Sequence, residues 1–190
     1  ILDDLDDLLS PRTRIVALSH VSNSLGTINP VEDVVSRVRE VTDAVVLLDG
    51  AQGAAHLRVD VDALGVDFYA FSAHKMLGPT GVAVLYGRPE LLKDMRPFLG
   101  GGEMIREVYL DRATWNDVPF KFEAGTPNIA DVIAFGAAVA YLEAFGMEAV
   151  RAHETELMEY ALSEVRRIPS IRVYGPGDAS KVSGVLSFTD

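Results

Sequence analysis

Two charged residues in this sequence each close an apolar run, and their types and spacing suit carbonyl chemistry. Lys75 lies in Phe68-Tyr69-Ala70-Phe71-Ser72-Ala73-His74-Lys75-Met76-Leu77-Gly78-Pro79-Thr80-Gly81, an aromatic strand that runs into short polar side chains and then a Gly-Pro turn. A strand ending in Ser-x-His-Lys aims those groups into the crevice at the carboxyl edge of a sheet, where open α/β sheets bind ligands. A lysine partly shielded from water there loses its proton readily enough to condense with a carbonyl as a Schiff base. Asp49 ends a second run, Val45-Val46-Leu47-Leu48-Asp49, and precedes Gly50-Ala51-Gln52. A carboxylate at the tip of a buried strand is costly unless it meets a cation or several donors. Taken singly, each residue has a plain structural reading: Lys75 as a loop lysine, Asp49 as an Asx-turn or helix cap before Gly50. Together they stand 75 − 49 = 26 residues apart. That is the length of one βαβ-like step crossing through Asp60-Val61-Asp62-Ala63-Leu64-Gly65, so both tips are expected on one edge of one sheet.

A lysine and an aspartate so placed suit pyridoxal phosphate, whose aldehyde takes a lysine and whose protonated pyridine nitrogen takes an acid partner. Four further segments extend the pattern: Ser19-His20-Val21-Ser22-Asn23-Ser24-Leu25-Gly26-Thr27-Ile28-Asn29-Pro30, then Leu48-Asp49-Gly50-Ala51-Gln52, then Gly100-Gly101-Gly102-Glu103-Met104-Ile105, and Phe122-Glu123-Ala124-Gly125-Thr126-Pro127-Asn128. With the lysine motif, and in this order, they resemble the fold-type I, class V aminotransferase-like enzymes, and among them the cysteine desulfurases of the Suf type. The resemblance implies that Lys75 forms the Schiff base and later moves the substrate's α-proton. It implies that Asp49 partners the pyridine nitrogen and that Gln52 donates to the phenolic oxygen of the ring. Ser72 and His74 resemble the phosphate ligands, and Asn23 the residue that holds the substrate carboxylate or the cofactor edge. For His20, a satisfied strand-end histidine and a site role both stay open. The threonine matching Thr126 reaches the phosphate of the neighbouring subunit's cofactor, which implies a homodimer. Independently of any family, Thr126-Pro127 reads as a helix start, with Thr126 as N-cap and Pro127 at the first helical position. A helix N-terminus there favours a phosphate.

The activity implied is conversion of L-cysteine to L-alanine, with sulfur passed as a persulfide to an acceptor protein of iron–sulfur cluster assembly, in the cytoplasm. Taking sulfur as a persulfide needs a thiolate, and the sequence has no cysteine. It opens on Ile1 and stops at Ser187-Phe188-Thr189-Asp190. The expectation is therefore an internal fragment, not a competent desulfurase by itself. The resemblance puts the family's cysteine loop and carboxylate-clamping arginine beyond Asp190, and its ring-stacking histidine before Ile1. Two alternatives stand beside this reading. One is another class V enzyme with the same Lys75–Asp49 site, such as a selenocysteine lyase, a kynureninase-like lyase or a transaminase. The other is a non-catalytic homologue, against which the intact set Lys75, Asp49, Gln52, Ser72 and His74 argues. A nucleotide-binding α/β domain is disfavoured, since no glycine-rich phosphate fingerprint stands at a strand-to-helix turn.

The elements that must position these residues alternate. Arg14 to Ser19 reads as a buried strand, and after Pro30 the stripe Val31, Val34, Val35, Val38 reads as an amphipathic helix. Strands ending at Asp49 and Ser72 follow, then Val82 to Tyr86. Pro79-Thr80-Gly81 makes a tight return from the lysine, so this last strand is expected antiparallel. A helix after Pro127 ends near Gly146, and Met147 to Arg167 forms another, with Leu157, Met158, Ala161, Leu162 and Val165 as its core face. Strands at Ile171 to Tyr174 and Gly184 to Phe188 come last. Short apolar strands separated by helices predict a three-layer α/β fold with a mostly parallel sheet covered on both faces. Residues 1–142 are assigned to a partial pyridoxal phosphate-binding large domain, and 143–190 to the start of a smaller α+β C-terminal domain. Gly100 to Gly102 reads as a flexible loop and Trp115 as an interface or core anchor. His56 and His153 receive no site role.

Composition bounds the rest. The 190 residues are 48% hydrophobic, enough for a full core. No apolar run approaches bilayer length, and no secretory leader pattern opens the chain. With 17 basic and 28 acidic residues the formal charge is −11, which disfavours nucleic acid and anionic membranes as partners. Asp3, Asp4, Asp6 and Asp7 form a local acidic cluster, read as a solvated helix face or start.

Overall fold

A four-stranded sheet carries the site, and its strand order follows the chain. The computed structural model describes residues 4–190, so Asp3 of the acidic cluster lies outside the described residues. After a one-turn helix α1 (Leu5–Leu8), the sheet runs β1 (Ile15–Ser19), β2 (Val45–Asp49), β3 (Phe68–Ser72) and β4 (Ala83–Gly87). The first three strands are parallel, and β4 returns antiparallel to β3, as the Pro-Thr-Gly turn predicts.

Helix α2 (Val31–Val41) crosses between β1 and β2, and its whole predicted stripe, Val31, Val34, Val35 and Val38, is buried. The stripe packs on Val46 and Leu48 of β2 and Tyr69 of β3. Between β2 and β3 come α3 (Gly53–His56) and α4 (Val61–Leu64). Asp60 caps α4 by accepting from the amides of Asp62 and Ala63, and Gly65, at φ 67°, ends it in the left-handed conformation that glycine adopts freely. Helices α2 and α4 thus cover one sheet face. The opposite face carries Val45, Leu47 and Phe68, which line a groove with Leu91 and Met95 beside helix α5 (Pro89–Asp94). On that face Ile15 and Leu85 stand 65% and 52% exposed.

A buried charge cluster pins the register of this sheet. Asp67, just before β3, is 6% exposed and accepts the Val46 amide (2.7 Å) and Arg39 of α2 (2.6 Å), with Arg88 at 3.3 Å. Hydrogen bonds from the Val46 amide and the Arg39 guanidinium, with the ion pair to Arg88, satisfy the carboxylate, so its burial is tolerated.

The hairpin β5 (Ile105–Val108) and β6 (Ala113–Trp115) leads to α6 (Ile129–Phe145) and α7 (Met147–Val165). Strands β7 (Arg172–Tyr174) and β8 (Ser187–Thr189) pair antiparallel beside α7. Met158, Leu162, Ala179 and Val182 form a small separate core there. Leu157, expected on that core face, is 54% exposed. Met158 and Leu162 are four residues apart and share the inward face, while Leu157 is one position off that row, a rotation of about 100°. Trp115 is partly exposed on β6. Among the described residues no single helix is long and apolar enough to cross a membrane.

Replacing Asp67 with alanine is expected to cost about 3 kcal/mol in denaturant unfolding, because it leaves Arg39 and the Val46 amide facing an empty acceptor position.

Candidate functional site

The parallel ladder decides where the chemistry-bearing residues meet. Ser19, Asp49 and Ala70 are paired across β1, β2 and β3 at the carboxyl ends of the strands. Paired residues point to the same face, and so do residues two apart on a strand. Asp49 and Ser72 therefore share one sheet face, and Ser72 lies roughly 7 Å further along its strand at about 3.3 Å per residue. The lysine and aspartate tips thus reach one edge, as their spacing predicts.

Lys75 is not on the strand itself. Ser72 closes β3, and Ala73 to Lys75 form one turn of 3-10 helix held by the amides of Ala73 on Val82 O (3.0 Å) and of Met76 and Gly78 on Ala73 O. Ala73 is fully buried and anchors the turn, while Lys75 is half-buried and His74 exposed. Gly78 is required by close packing, since a Cβ there would lie 2.9 Å from both Ala73 O and the Phe135 ring of α6. Leu77 adopts φ 62° with an exposed side chain, an uncommon conformation for a non-glycine residue, directly after the lysine turn.

Asp49 makes the Asx-turn that its sequence context allows: Oδ1 accepts the Ala51 amide at 2.9 Å. The carboxylate remains exposed, so the turn fixes one oxygen and leaves the group open to a cation. Gln52 opens α3 and is half-buried beside it. Among the described residues, the side chains of Gln52, Ser72, His74, Lys75 and Thr126 make no hydrogen bond or ion pair. These are donors and an amine without internal partners, clustered on and just beyond one sheet edge except for Thr126.

Asn23 sits in the loop after β1, with its Oδ1 accepting from the Ser24 hydroxyl at 3.3 Å. That loop is fastened at several points. Val21 pairs with Ile28, Thr27 pairs with Val182, and the Ser183 amide donates to Gly26 O at 2.8 Å. The Ser187 hydroxyl also donates to Ser24 O. His56 at the end of α3 meets Glu154 of α7 at 2.6 Å.

Thr126 corrects the sequence reading of its helix. The N-cap of α6 is Asn128, whose side-chain oxygen accepts the Asp131 amide, and the helix opens at Ile129. Thr126 and Pro127 lie in the segment before it. Asparagine outcompetes the threonine because its amide oxygen reaches the amide three residues on and its NH2 also bonds Asp131 Oδ2 at 2.6 Å. Thr126 is exposed and is freed from capping. The segment is joined to the glycine run: Gly125 N donates to Gly102 O at 2.9 Å, and a Cβ on Gly101 would lie 3.2 Å from Gly125 N.

Two residues under the site carry more than the sequence suggested. His20 and Tyr69, both buried, are joined by a 3.0 Å hydrogen bond between Nδ1 and the phenol. Burial lowers the His20 pKa, opposed by the nearby charge of Glu32. Burial raises that of Tyr69 far above its ordinary value, and the charge of Asp49 adds to the effect. Tyr69 reads in the sequence as one aromatic among several in a strand. The only local signal for this contact was Gly50-x-x-Gly53, glycines spaced to let a backbone pass close to a ring.

Comparison with known proteins places the site in context. The Aminotransferase class-V family model matches residues 1–189. A cysteine desulfurase of Dickeya dadantii is 51% identical over 185 residues, covering 97% of this chain and 44% of its own length. The solved cysteine desulfurase CsdA of Escherichia coli, with an S-sulfonic acid, superposes with TM-score 0.91 at 40% identity, over 99% of this chain and 46% of that one. A lysine-to-alanine mutant of C-DES with glycine covalently linked to its PLP cofactor superposes at 0.88 with 28% identity, over 99% of this chain and 50% of that one. The chain spans a little under half the length of the curated relatives it matches.

The capping assignment separates two roles by stability alone. Asn128→Ala is expected to lower stability by about 1 kcal/mol in thermal or denaturant unfolding, whereas Thr126→Ala stays within about 0.5 kcal/mol of the parent.

Proposed function

The chain belongs to the class-V aminotransferase family, and on that premise we propose that it forms the cofactor-binding core of a pyridoxal phosphate-dependent cysteine desulfurase. The reaction converts L-cysteine to L-alanine and passes the sulfur as a persulfide to an acceptor protein of iron–sulfur assembly. One observation carries this reading: an acid and a lysine emerge at the same sheet edge, with Ser72, His74 and Gln52 around them free of internal partners. That donor set fits pyridoxal phosphate, which calls for an amine at its aldehyde, an acid at its ring nitrogen, and neutral or cationic donors at its phosphate. The relatives' similarity supports the substrate, and the C-DES structure supports the cofactor.

When bound, the cofactor supplies an electron sink for the pair released at the substrate's α-carbon. The chain's own residues do the rest. Lys75 Nζ would be the amine that holds the cofactor's aldehyde carbon, and its free amine would serve as the base for the substrate's α-proton. Asp49, with Oδ1 tied to the Ala51 amide, would be the acid partner of the ring nitrogen. Gln52 donates to the phenolic oxygen, and Ser72 and His74 donate to the phosphate. Asn23 holds the substrate carboxylate or the cofactor edge. Thr126, free of capping, reaches the phosphate held by a second copy in a homodimer. The thiolate that takes the sulfur comes from outside these 190 residues, which hold no cysteine. A reducing cytoplasm suits persulfide transfer by a free thiol. Residues 1–142 act as the large-domain part and 143–190 as the beginning of the small domain.

The test is made on the full-length protein. With pyridoxal phosphate added, a visible absorption band is expected that borohydride fixes at Lys75 and that Lys75→Ala abolishes, together with alanine release from L-cysteine. A band without alanine transfers the assignment to another class V reaction. An adduct fixed at a different lysine sinks the site.

A further inference from the structure

His20 and Tyr69 are buried beneath the turn that carries Asp49 and Gln52, and the chemistry above does not use them. Their contacts with that turn are close at every point. The His20 amide donates to Asp49 O at 2.8 Å, and the Gly50 amide donates to Ala70 O at 2.7 Å, one residue after Tyr69. A Cβ on Gly50 would lie 2.0 Å from the Tyr69 ring, inside any real contact distance. A Cβ on Gly53 would lie 2.6 Å from His20 Nδ1 and 2.7 Å from the Tyr69 hydroxyl. The backbone from Gly50 to Gly53 therefore rests directly on the hydrogen-bonded pair, whose rings stand edge to face at 85°.

We propose that the His20–Tyr69 hydrogen bond is a positioning device for the cofactor's ring: it fixes the height of the Asp49–Gln52 turn, and with it the reach of the acid and the amide to the ring. The proposal rests on the pyridoxal phosphate reading. The Gly50–Gly53 backbone rests on the Tyr69 ring with no side chain between them, so any shift of the ring is passed to the turn. The hydrogen bond to a histidine whose own backbone is tied to Asp49 closes a loop of contacts through β1, β2 and β3. Burial keeps both partners neutral near pH 7, so the pair adds no charge that would compete with a pyridinium for Asp49. Neither residue touches the cofactor in this scheme; both act through Asp49 and Gln52.

The experiment uses the full-length protein and the variants Tyr69→Phe, His20→Leu and His20→Gln. Three quantities are read: pyridoxal phosphate dissociation constant, the pH midpoint of the bound cofactor's visible band, and the thermal midpoint without cofactor. Tyr69→Phe keeps the ring but loses the hydroxyl. It is expected to weaken cofactor binding about five-fold, the loss of one net hydrogen bond of about 1 kcal/mol, and to displace the band's pH midpoint. His20→Leu should do the same, and His20→Gln, which can still bond the phenol, should return both quantities toward the parent. Should Tyr69→Phe not fold, the two His20 variants decide by the same comparison. A lowered thermal midpoint with unchanged affinity and pH midpoint would make the pair merely structural and overturn the proposal. If the parent itself shows no band, the cofactor reading fails and the proposal falls with it. A normal parent band with variants indistinguishable from it refutes the proposal alone.

Discussion

Asp49 pairs with Ala70 across the parallel β2–β3 ladder, and the site exists because of that register. Side chains alternate faces along a strand, so a slip of one residue would send Asp49 to the face occupied by Leu48 and Tyr69. Parallel pairing also requires a crossover long enough to return the chain to the same edge. Here α3 and α4 fill it, with Asp60 and Gly65 fixing where α4 begins and ends. Asp67 locks the same register from the opposite end, binding the Val46 amide while Arg39 holds it from α2. A carboxylate near each end of the β2–β3 pair thus does opposite work. One is buried and satisfied by the fold; the other is exposed and left with capacity for a ligand.

Much of this was legible in the sequence because it is local. The valine stripe of α2, the crossover capped by Asp60, the antiparallel return after Pro79 and the shared edge of Asp49 and Lys75 all follow from periodicity and turn chemistry over a few residues. What stayed illegible depends on partners distant in the chain or on competition between near neighbours. His20 meets Tyr69 across 49 residues, and nothing in either segment names the other. Thr126 and Asn128 are both good caps, and only the path of the chain into α6 decides between them. Leu157 and Met158 are adjacent and apolar, and which one faces inward depends on how α7 is rotated against Ala179 and Val182.

The open sheet face and α6 show the same limit on a larger scale. Ile15 and Leu85 stand exposed, and α6 buries Phe135 and Leu142 while Ile133, Tyr141 and Phe145 face outward. A helix apolar on all sides is suited to burial all round. Among the described residues none covers these apolar positions, and the chain spans less than half the length of the curated relatives it matches.

The fastenings around Asn23 and α3 have a mechanical consequence. Two segments that carry site candidates are moored to the segment that follows Gly146: the Asn23 loop through Thr27 and Val182, and the helix after Gln52 through His56 and Glu154. The first mooring is made at several points, including the Ser183 amide on Gly26 O and the Ile28 amide on Lys181 O. The placement of Asn23 and of the helix after Gln52 therefore depends on residues far downstream of both in the sequence, while the sheet edge holding Asp49 and Ser72 is set by its own ladder.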